Sequence, residues 1–329
     1  MSRPKVFVSR RIPEAGLQAI AAVCEVDLWT EQLPPPYDVL RERVTTCDGL
    51  VSLLTDRIDA PLLDAAPRLK VVSNFAVGFN NVDVAACTAR GVCVGNTPGV
   101  LTDATADTAV MLLMAAARRL AESAADAKAG RWLTWEPLGW LGQDLVGRTL
   151  GIVGMGRIGF AVAQRLHRGW GMSVLYTEQV PRPEAEQQLG ARRVELDELL
   201  AQSDFVSLHV DLNPSTRGLF GAAQFKKMKP TAVFVNTARG PLVDQTALAD
   251  ALRTGTIFAA GLDVTDPEPL PPNHELYSLP NCIIVPHIAS ATVATRNAMA
   301  RLCAENLLAG LRGEPLPHWV NPEVATRRR

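Results

Sequence analysis

The chain has 329 residues, of which 47% are hydrophobic and 20% charged, and a net charge of −1. That length suggests about two domains, and that composition excludes a disordered chain. Near-neutrality offers nucleic acid or an anionic membrane no strong field to bind.

Residues 1–99 alternate short apolar runs with helical patterns. Strands are expected at 5–9, 25–29, 49–54, 69–75 and 92–95, and helices at 13–23, 37–45, 60–66 and 82–90. Alternation of this kind predicts a parallel sheet with helices on both faces. A long apolar helix is expected over 103–121, followed by WLTWEPLGWLG at 132–142, a loop rich in Trp, Pro and Gly.

A second run of strands follows at 149–153, 173–176, 205–210, 232–236, 258–263 and 282–285, with helices at 183–189, 196–202, 222–227 and 244–253. The last helix, 292–312, is read as returning to the first domain, and residues 327–329 as a frayed basic tail. The division expected is therefore 1–99 plus 290–329 for one domain and 100–289 for the other.

Six cysteines, at 24, 47, 87, 93, 282 and 303, form no C-x-x-C pair. Reduced thiols and no metal site are expected. The N-terminus lacks the apolar core of a secretory signal, and the longest apolar run, 109–117, is too short to span a bilayer. A cytoplasmic protein without a membrane partner is the expectation.

The most informative stretch is TLGIVGMGRIGFAVAQRL at 149–166. A short apolar strand leads into Gly154, Gly156 and Gly159, spaced G-x-G-x-x-G, and Ile158, Ala161, Val162 and Leu166 follow at helical spacing. In a dinucleotide site Gly154 permits the tight turn, Gly156 lets backbone approach a pyrophosphate, and Gly159 lets helix and strand pack closely. The phosphates then sit at the helix N-terminus, where free N–H groups and the helix dipole favour negative charge.

In open α/β sheets ligands bind beyond the C-terminal ends of the strands. Arg239 follows the strand at 232–236, Asp263 and Glu268 follow the strand at 258–262, and His287 follows the strand at 282–285. Arginine can grip a carboxylate with two parallel hydrogen bonds. Histidine exchanges a proton near neutral pH, and a glutamate beside it would orient the ring. Each residue alone is commonplace; their clustering beside a dinucleotide motif favours a catalytic site. His167, His209, His274 and His318 lack such company and are read as structural.

Together these segments resemble the D-isomer-specific 2-hydroxyacid dehydrogenase family over nearly the whole chain. The matching stretches are NFAVGFNNVD at 74–83, GIVGMGRIG at 151–159, VNTARGPLVD at 235–244, AAGLDVTDPEP at 259–269 and VPHIASAT at 285–292. TWEPLGWLGQDLVG at 134–147 and YTEQVPRP at 176–183 are similar to the glyoxylate/hydroxypyruvate reductase branch. The resemblance implies a Rossmann dinucleotide-binding domain inserted into a flavodoxin-like substrate domain, both doubly wound parallel sheets.

It implies NAD(P)H-dependent reduction of a small 2-oxo acid, with Arg239, Glu268 and His287 catalytic. Val77 and Gly78 would clamp the substrate carboxylate through their backbone, beside Arg239 and His287. Thr105, Arg157, Ile158, Thr237, Ala238 and Asp263 would join Gly154, Gly156 and Gly159 at the cofactor, with Arg239 and His287 beside it. A homodimer is implied too, and domain closure about hinges near 98–102 and 286–292.

Trp140 is expected either to close a small substrate pocket, its own or a partner subunit's, or to pack an interface. Glu178, 19 positions after Gly159, is placed to take the adenosine ribose hydroxyls and repel a 2′-phosphate, which favours NAD(H). Arg182 is the opposing sign and keeps NADP(H) open. Competing readings keep the fold and change the substrate to phosphite or a larger 2-oxo acid, or make the chain a non-enzymatic dinucleotide-sensing protein.

Overall fold

The structure, a computed structural model, describes residues 3–327. It divides into two compact units, Met1–Leu101 with Ala291–Arg329, and Thr102–Ser290. Each is an α/β unit built on one parallel sheet.

The first unit runs β1 (Lys5–Val8), α1 (Glu14–Val23), β2 (Glu25–Leu28), α2 (Tyr37–Arg43), β3 (Gly49–Ser52), α3 (Ala60–Asp64), β4 (Val71–Asn74), α4 (Val84–Ala89) and β5 (Cys93–Gly95). The strand order is β2-β1-β3-β4-β5, all parallel. β3, β4 and β5 are buried along their whole length, as strands covered on both faces must be, while the edge strand β2 is only partly covered. Asp59 and Asp83 cap α3 and α4 by accepting the N–H of Leu62 and of Ala86. Phe7, Leu40, Leu50, Ile58, Leu62, Val72 and Val94 fill one face of the sheet.

The second unit opens on α5 (Thr102–Ala117) and α6 (Leu120–Lys128). A single helix over 103–121 was the expectation; the chain breaks it. Arg119 takes a left-handed conformation at φ 52°, and the Ala117 carbonyl accepts the N–H of Gln143 at 2.9 Å. The aromatic loop thus claims a carbonyl that a continuing helix would have used, a tertiary effect that outweighs the helical propensity of an Ala-rich run.

Beyond the loop come β6 (Thr149–Val153), α7 (Arg157–Trp170), β7 (Ser173–Thr177), α8 (Pro183–Leu189), β8 (Arg192–Arg193), α9 (Leu196–Gln202), β9 (Phe205–Leu208), α10 (Ala222–Phe225), β10 (Val233–Asn236), α11 (Gln245–Arg253), β11 (Ala259–Leu262) and β12 (Cys282–Ile284). The order is β8-β7-β6-β9-β10-β11-β12, parallel throughout. Chain order reverses at β6, between β7 and β9. The strand expected at 205–210 stops at Leu208, and β8 had no apolar signature to announce it.

The final helix, α12 (Val293–Arg312), returns to the first unit. There the Ser73 hydroxyl donates to the Cys303 carbonyl at 2.8 Å, and the Asn306 amide to the Asn96 carbonyl at 2.8 Å. Of the expected tail, 327 closes the 3-10 turn Pro322–Arg327, and 328 and 329 lie outside the described residues. Cys24, Cys47, Cys87, Cys282 and Cys303 are free thiols. Burial pushes Cys47 up to about 11 and Cys87, Cys282 and Cys303 up to about 12, values that make them inert. Among the described residues no helix is long and apolar enough to cross a membrane.

Candidate active site

The glycine turn lies at the C-terminal end of β6, where the strand order of the second sheet reverses. Gly154 has φ 96°, and a Cβ there would stand 2.7 Å from the backbone of His209, just past the end of β9. A Cβ on Gly159 would lie 2.2 Å from the Gly154 carbonyl oxygen, so α7 can start this close to the turn only with glycine. Gly156 is different: a Cβ on it would meet nothing within 4 Å. It caps α7 without a side chain, and the first N–H groups of a fourteen-residue helix follow at Arg157, Ile158 and Gly159. Past the end of β10, the Thr237 hydroxyl is buried with no hydrogen-bond partner among the described residues. Open space at Gly156, a helix start capped by no side chain and an orphaned hydroxyl on the same sheet edge fit the pyrophosphate of a dinucleotide.

His209 faces none of this as an acid or base. Burial pushes its imidazole down to about 3, and its Nε2 meets the Ser207 hydroxyl at 2.9 Å. The His167 ring meets the Met172 carbonyl, His274 accepts the N–H of Leu276, and the backbone N–H of His318 donates to Asn306.

Three loops at the ends of β10, β11 and β12 carry the other chemistry. Asn236, the last residue of β10, accepts the N–H of Ala238 and donates to the carbonyl of Arg239 at 2.9 Å, curling the chain so that Arg239 sits at the strand end. Gly240 then passes so close to the next loop that a Cβ would lie 1.9 Å from the Thr265 carbonyl oxygen. Glycine is required for the arginine loop and the glutamate loop to touch. Burial lowers the affinity of the Arg239 guanidinium for its proton, and the carboxylates of Glu268 and Asp211 oppose that loss.

Glu268 bridges the last two loops. One of its carboxylate oxygens lies 2.5 Å from His287 Nδ1, and the other accepts the N–H of Thr265 at 3.4 Å. Gln245 braces this loop from α11, its amide bonding both the N–H and the carbonyl of Asp266. His287 has φ 51°, a left-handed backbone rare for a residue with a side chain. Asp263 holds it there. The carboxylate is 1% exposed and accepts the N–H of Ile288 at 2.6 Å and of Ala289 at 3.1 Å, while its carbonyl accepts the N–H of His287 at 3.0 Å. Burial pushes the Asp263 carboxyl above its ordinary value, and those two N–H groups pull it back. Both carboxylate oxygens are thus engaged by the loop that presents the histidine.

The remaining sequence-derived positions are more scattered. Glu178, just past β7, draws Arg182 to 3.5 Å, and Arg193 donates to the carbonyls of Glu178 and Gln179. Thr105 is buried on α5, the helix that packs against α7. Trp140, at φ 55°, lies under the Arg119 guanidinium, 4.9 Å from ring centroid to carbon. It lines a groove of about 510 Å³ with Asp126, Arg131, Trp132 and Trp135; Arg239, Glu268 and His287 do not line this groove. Val77 and Gly78 belong to the first unit. Asn236 and Gln245 were missed from sequence; the one available cue was their place beside TARG and beside the helix start.

Comparison with known proteins agrees with this architecture. The family model described as D-isomer specific 2-hydroxyacid dehydrogenase, NAD binding domain, matches residues 110–289. A glyoxylate reductase of Korarchaeum cryptofilum is 52% identical over 327 residues, 99% of this chain and 98% of that one. A solved structure of a protein from Thermus thermophilus superposes with a TM-score of 0.91 at 48% identity, covering 96% of this chain and 99% of the other. The NADPH-dependent glyoxylate/hydroxypyruvate reductase of Sinorhizobium meliloti, solved with NADP and malonate, gives 0.85 at 35% identity over 100% of this chain and 99% of its own. An identity of about half over full length, with the glycine turn and the three strand-end loops in one sheet, places this chain in the D-isomer-specific 2-hydroxyacid dehydrogenase family.

Proposed function

We propose that the protein reduces glyoxylate, and hydroxypyruvate as a second substrate, to the 2-hydroxy acid. The observation that carries this reading is His287 Nδ1 held by Glu268, with Arg239 on the neighbouring loop, on the sheet edge that also bears the glycine turn. When bound, the reduced nicotinamide dinucleotide supplies a hydride for the carbonyl carbon of the 2-oxo acid. Arg239 grips the substrate carboxylate and polarises the carbonyl with its planar fork. Protonated His287 gives the proton on Nε2 to the carbonyl oxygen; Glu268, occupying Nδ1, leaves Nε2 as the nitrogen that works. Asp263 fixes the loop that aims the ring.

The test is oxidation of NADH or NADPH by the purified protein over a panel of 2-oxo acids, with phosphite and NAD run in parallel. Turnover fastest on glyoxylate or hydroxypyruvate is expected. A protein that binds the dinucleotide and turns over none of the panel would overturn the reading.

NADH is the preferred donor on this proposal, because the Glu178 carboxylate stands where the adenosine ribose hydroxyls would bind and would repel a 2′-phosphate. The ratio of kcat/KM for NADH over NADPH should exceed one and fall about 10-fold in Glu178→Ala, roughly the worth of one well-placed hydrogen-bonded charge. A wild-type preference for NADPH would instead assign the phosphate to Arg182 or Arg193. The exposed Trp and Leu of 132–141 and the unburied α6 support a homodimer, and the free thiols of Cys24, Cys47, Cys87, Cys282 and Cys303 support a cytoplasmic setting.

A further inference from the structure

Three successive carbonyls in the loop after β4 are each tied back to the sheet of the first unit. The Ala76 carbonyl accepts the N–H of Thr97 at 2.9 Å. The Val77 carbonyl accepts the side-chain amide of Asn96 at 2.7 Å, and the Gly78 carbonyl that of Asn74 at 2.9 Å. Asn74 ends β4, and Asn96 and Thr97 directly follow β5, so all three donors stand at one edge of the sheet. A trans peptide is planar, with its N–H directed opposite its C=O. Drawing these three oxygens toward the sheet therefore turns the N–H groups of Val77, Gly78 and Phe79 away from it. No acceptor among the described residues meets any of those three N–H groups. A run of backbone N–H groups turned outward is an anion-binding device.

The two asparagines are themselves anchored. Asn74 Oδ1 accepts the Ser52 hydroxyl at 3.0 Å, which leaves its amide nitrogen to face Gly78. The Asn96 carbonyl accepts the amide of Asn306, a residue of α12 with no exposure, and Asn306 in turn accepts the N–H of His318. Asn81 closes the loop's far side by donating to the carbonyls of Leu53 and Asp56. The cradle is thus fixed before any ligand arrives, and it needs no cationic side chain.

We infer that Asn74 and Asn96 are positioning residues: by holding the carbonyls of Gly78 and Val77 they pre-aim the N–H groups of Val77, Gly78 and Phe79 at the carboxylate of the 2-oxo acid. This rests on the reduction proposed above. Neither asparagine touches the substrate; each acts through the peptide it holds. The cost of organising the loop is met on folding, so binding does not repeat it.

The experiment compares wild type with Asn96→Ala and Asn74→Ala. It measures KM and kcat for glyoxylate, oxalate affinity by calorimetry, NADH affinity and Tm. Each variant should raise KM and weaken oxalate about 10-fold, the loss expected for one charge-assisted hydrogen bond. NADH affinity should stay within about 2-fold, and kcat should fall less than KM rises. Unchanged KM and oxalate affinity in a folded Asn96→Ala overturn the inference and leave the reduction standing. A wild type that reduces no 2-oxo acid overturns the reduction, and the inference with it. Amide resonances give a second reading that needs no variant. Oxalate should shift the amide protons of Val77, Gly78 and Phe79 in the wild type, and their indifference to it contradicts the cradle.

Discussion

The strand-end loops that carry Arg239, Glu268 and His287 and the aromatic loop at 132–142 belong to the same unit, yet they are built on opposite terms. In the first, every candidate catalytic group has a partner from the chain itself: Asn236 turns Arg239, Gln245 braces the glutamate loop, Glu268 holds His287 Nδ1, and Asp263 accepts the N–H groups of Ile288 and Ala289, the two residues after His287. In the second, Trp132, Leu133, Trp135 and Leu138 are 75–88% exposed, and α6 beneath them buries no residue. The first region draws these partners from its own chain, the kind of prior arrangement that preorganises groups for chemistry. The second leaves large apolar surfaces uncovered, which a single soluble chain rarely tolerates. Catalytic effects should concentrate in the first region, and effects on assembly and substrate size in the second.

The largest effect is expected at His287. His287→Ala should lower kcat on the order of 10²-fold or more, the usual worth of a positioned general acid, with NADH affinity preserved. Steady-state kinetics with a binding titration checks both parts, and near-normal turnover would break the contrast between the regions. Arg239→Lys should come next. A point charge cannot reproduce two parallel hydrogen bonds, so kcat/KM for glyoxylate should fall by about 10-fold to 100-fold, with most of the loss in KM. A change confined to Tm would show that Arg239 serves only the fold. Trp140→Ala should act most weakly: a gain of about 10-fold or less for longer 2-oxo acids relative to glyoxylate, as expected for a pocket wall made smaller. An unchanged preference across chain lengths would confine the aromatic loop to assembly.

Much of this arrangement can be read from residues alone, and what escapes has physical causes. Continuous apolar runs mark β3, β4, β6, β9 and β10 because strands buried on both faces have no polar side to show. The glycine turn is legible because only glycine tolerates the approach distances at Gly154 and Gly159. Arg239, Glu268 and His287 stand out because each follows a strand of one parallel sheet, and parallel strands deliver their C-terminal ends to one edge. The break at Arg119 is hidden, since residues 103–121 are good helix formers and the interruption comes from Gln143, distant in sequence. β8 is two arginines long and held by its neighbour, with no pattern of its own. Asn74, Asn96 and Asn236 do their work by holding carbonyls, and an asparagine that holds a carbonyl looks in sequence like any loop asparagine. Asp263 reads as a candidate for contact with cofactor; its immediate partners are the peptides of Ile288 and Ala289.

The most direct test of the His287–Glu268 pair as the proton-transfer group is the pH dependence of kcat/KM in both directions, glyoxylate reduction and glycolate oxidation. Reduction needs His287 protonated and oxidation needs it neutral. Reduction should therefore lose rate as pH rises and oxidation as pH falls, one group governing both limbs, and both limbs should vanish in His287→Ala. Profiles that fall in the same direction, or limbs that survive in His287→Ala, would contradict the assignment.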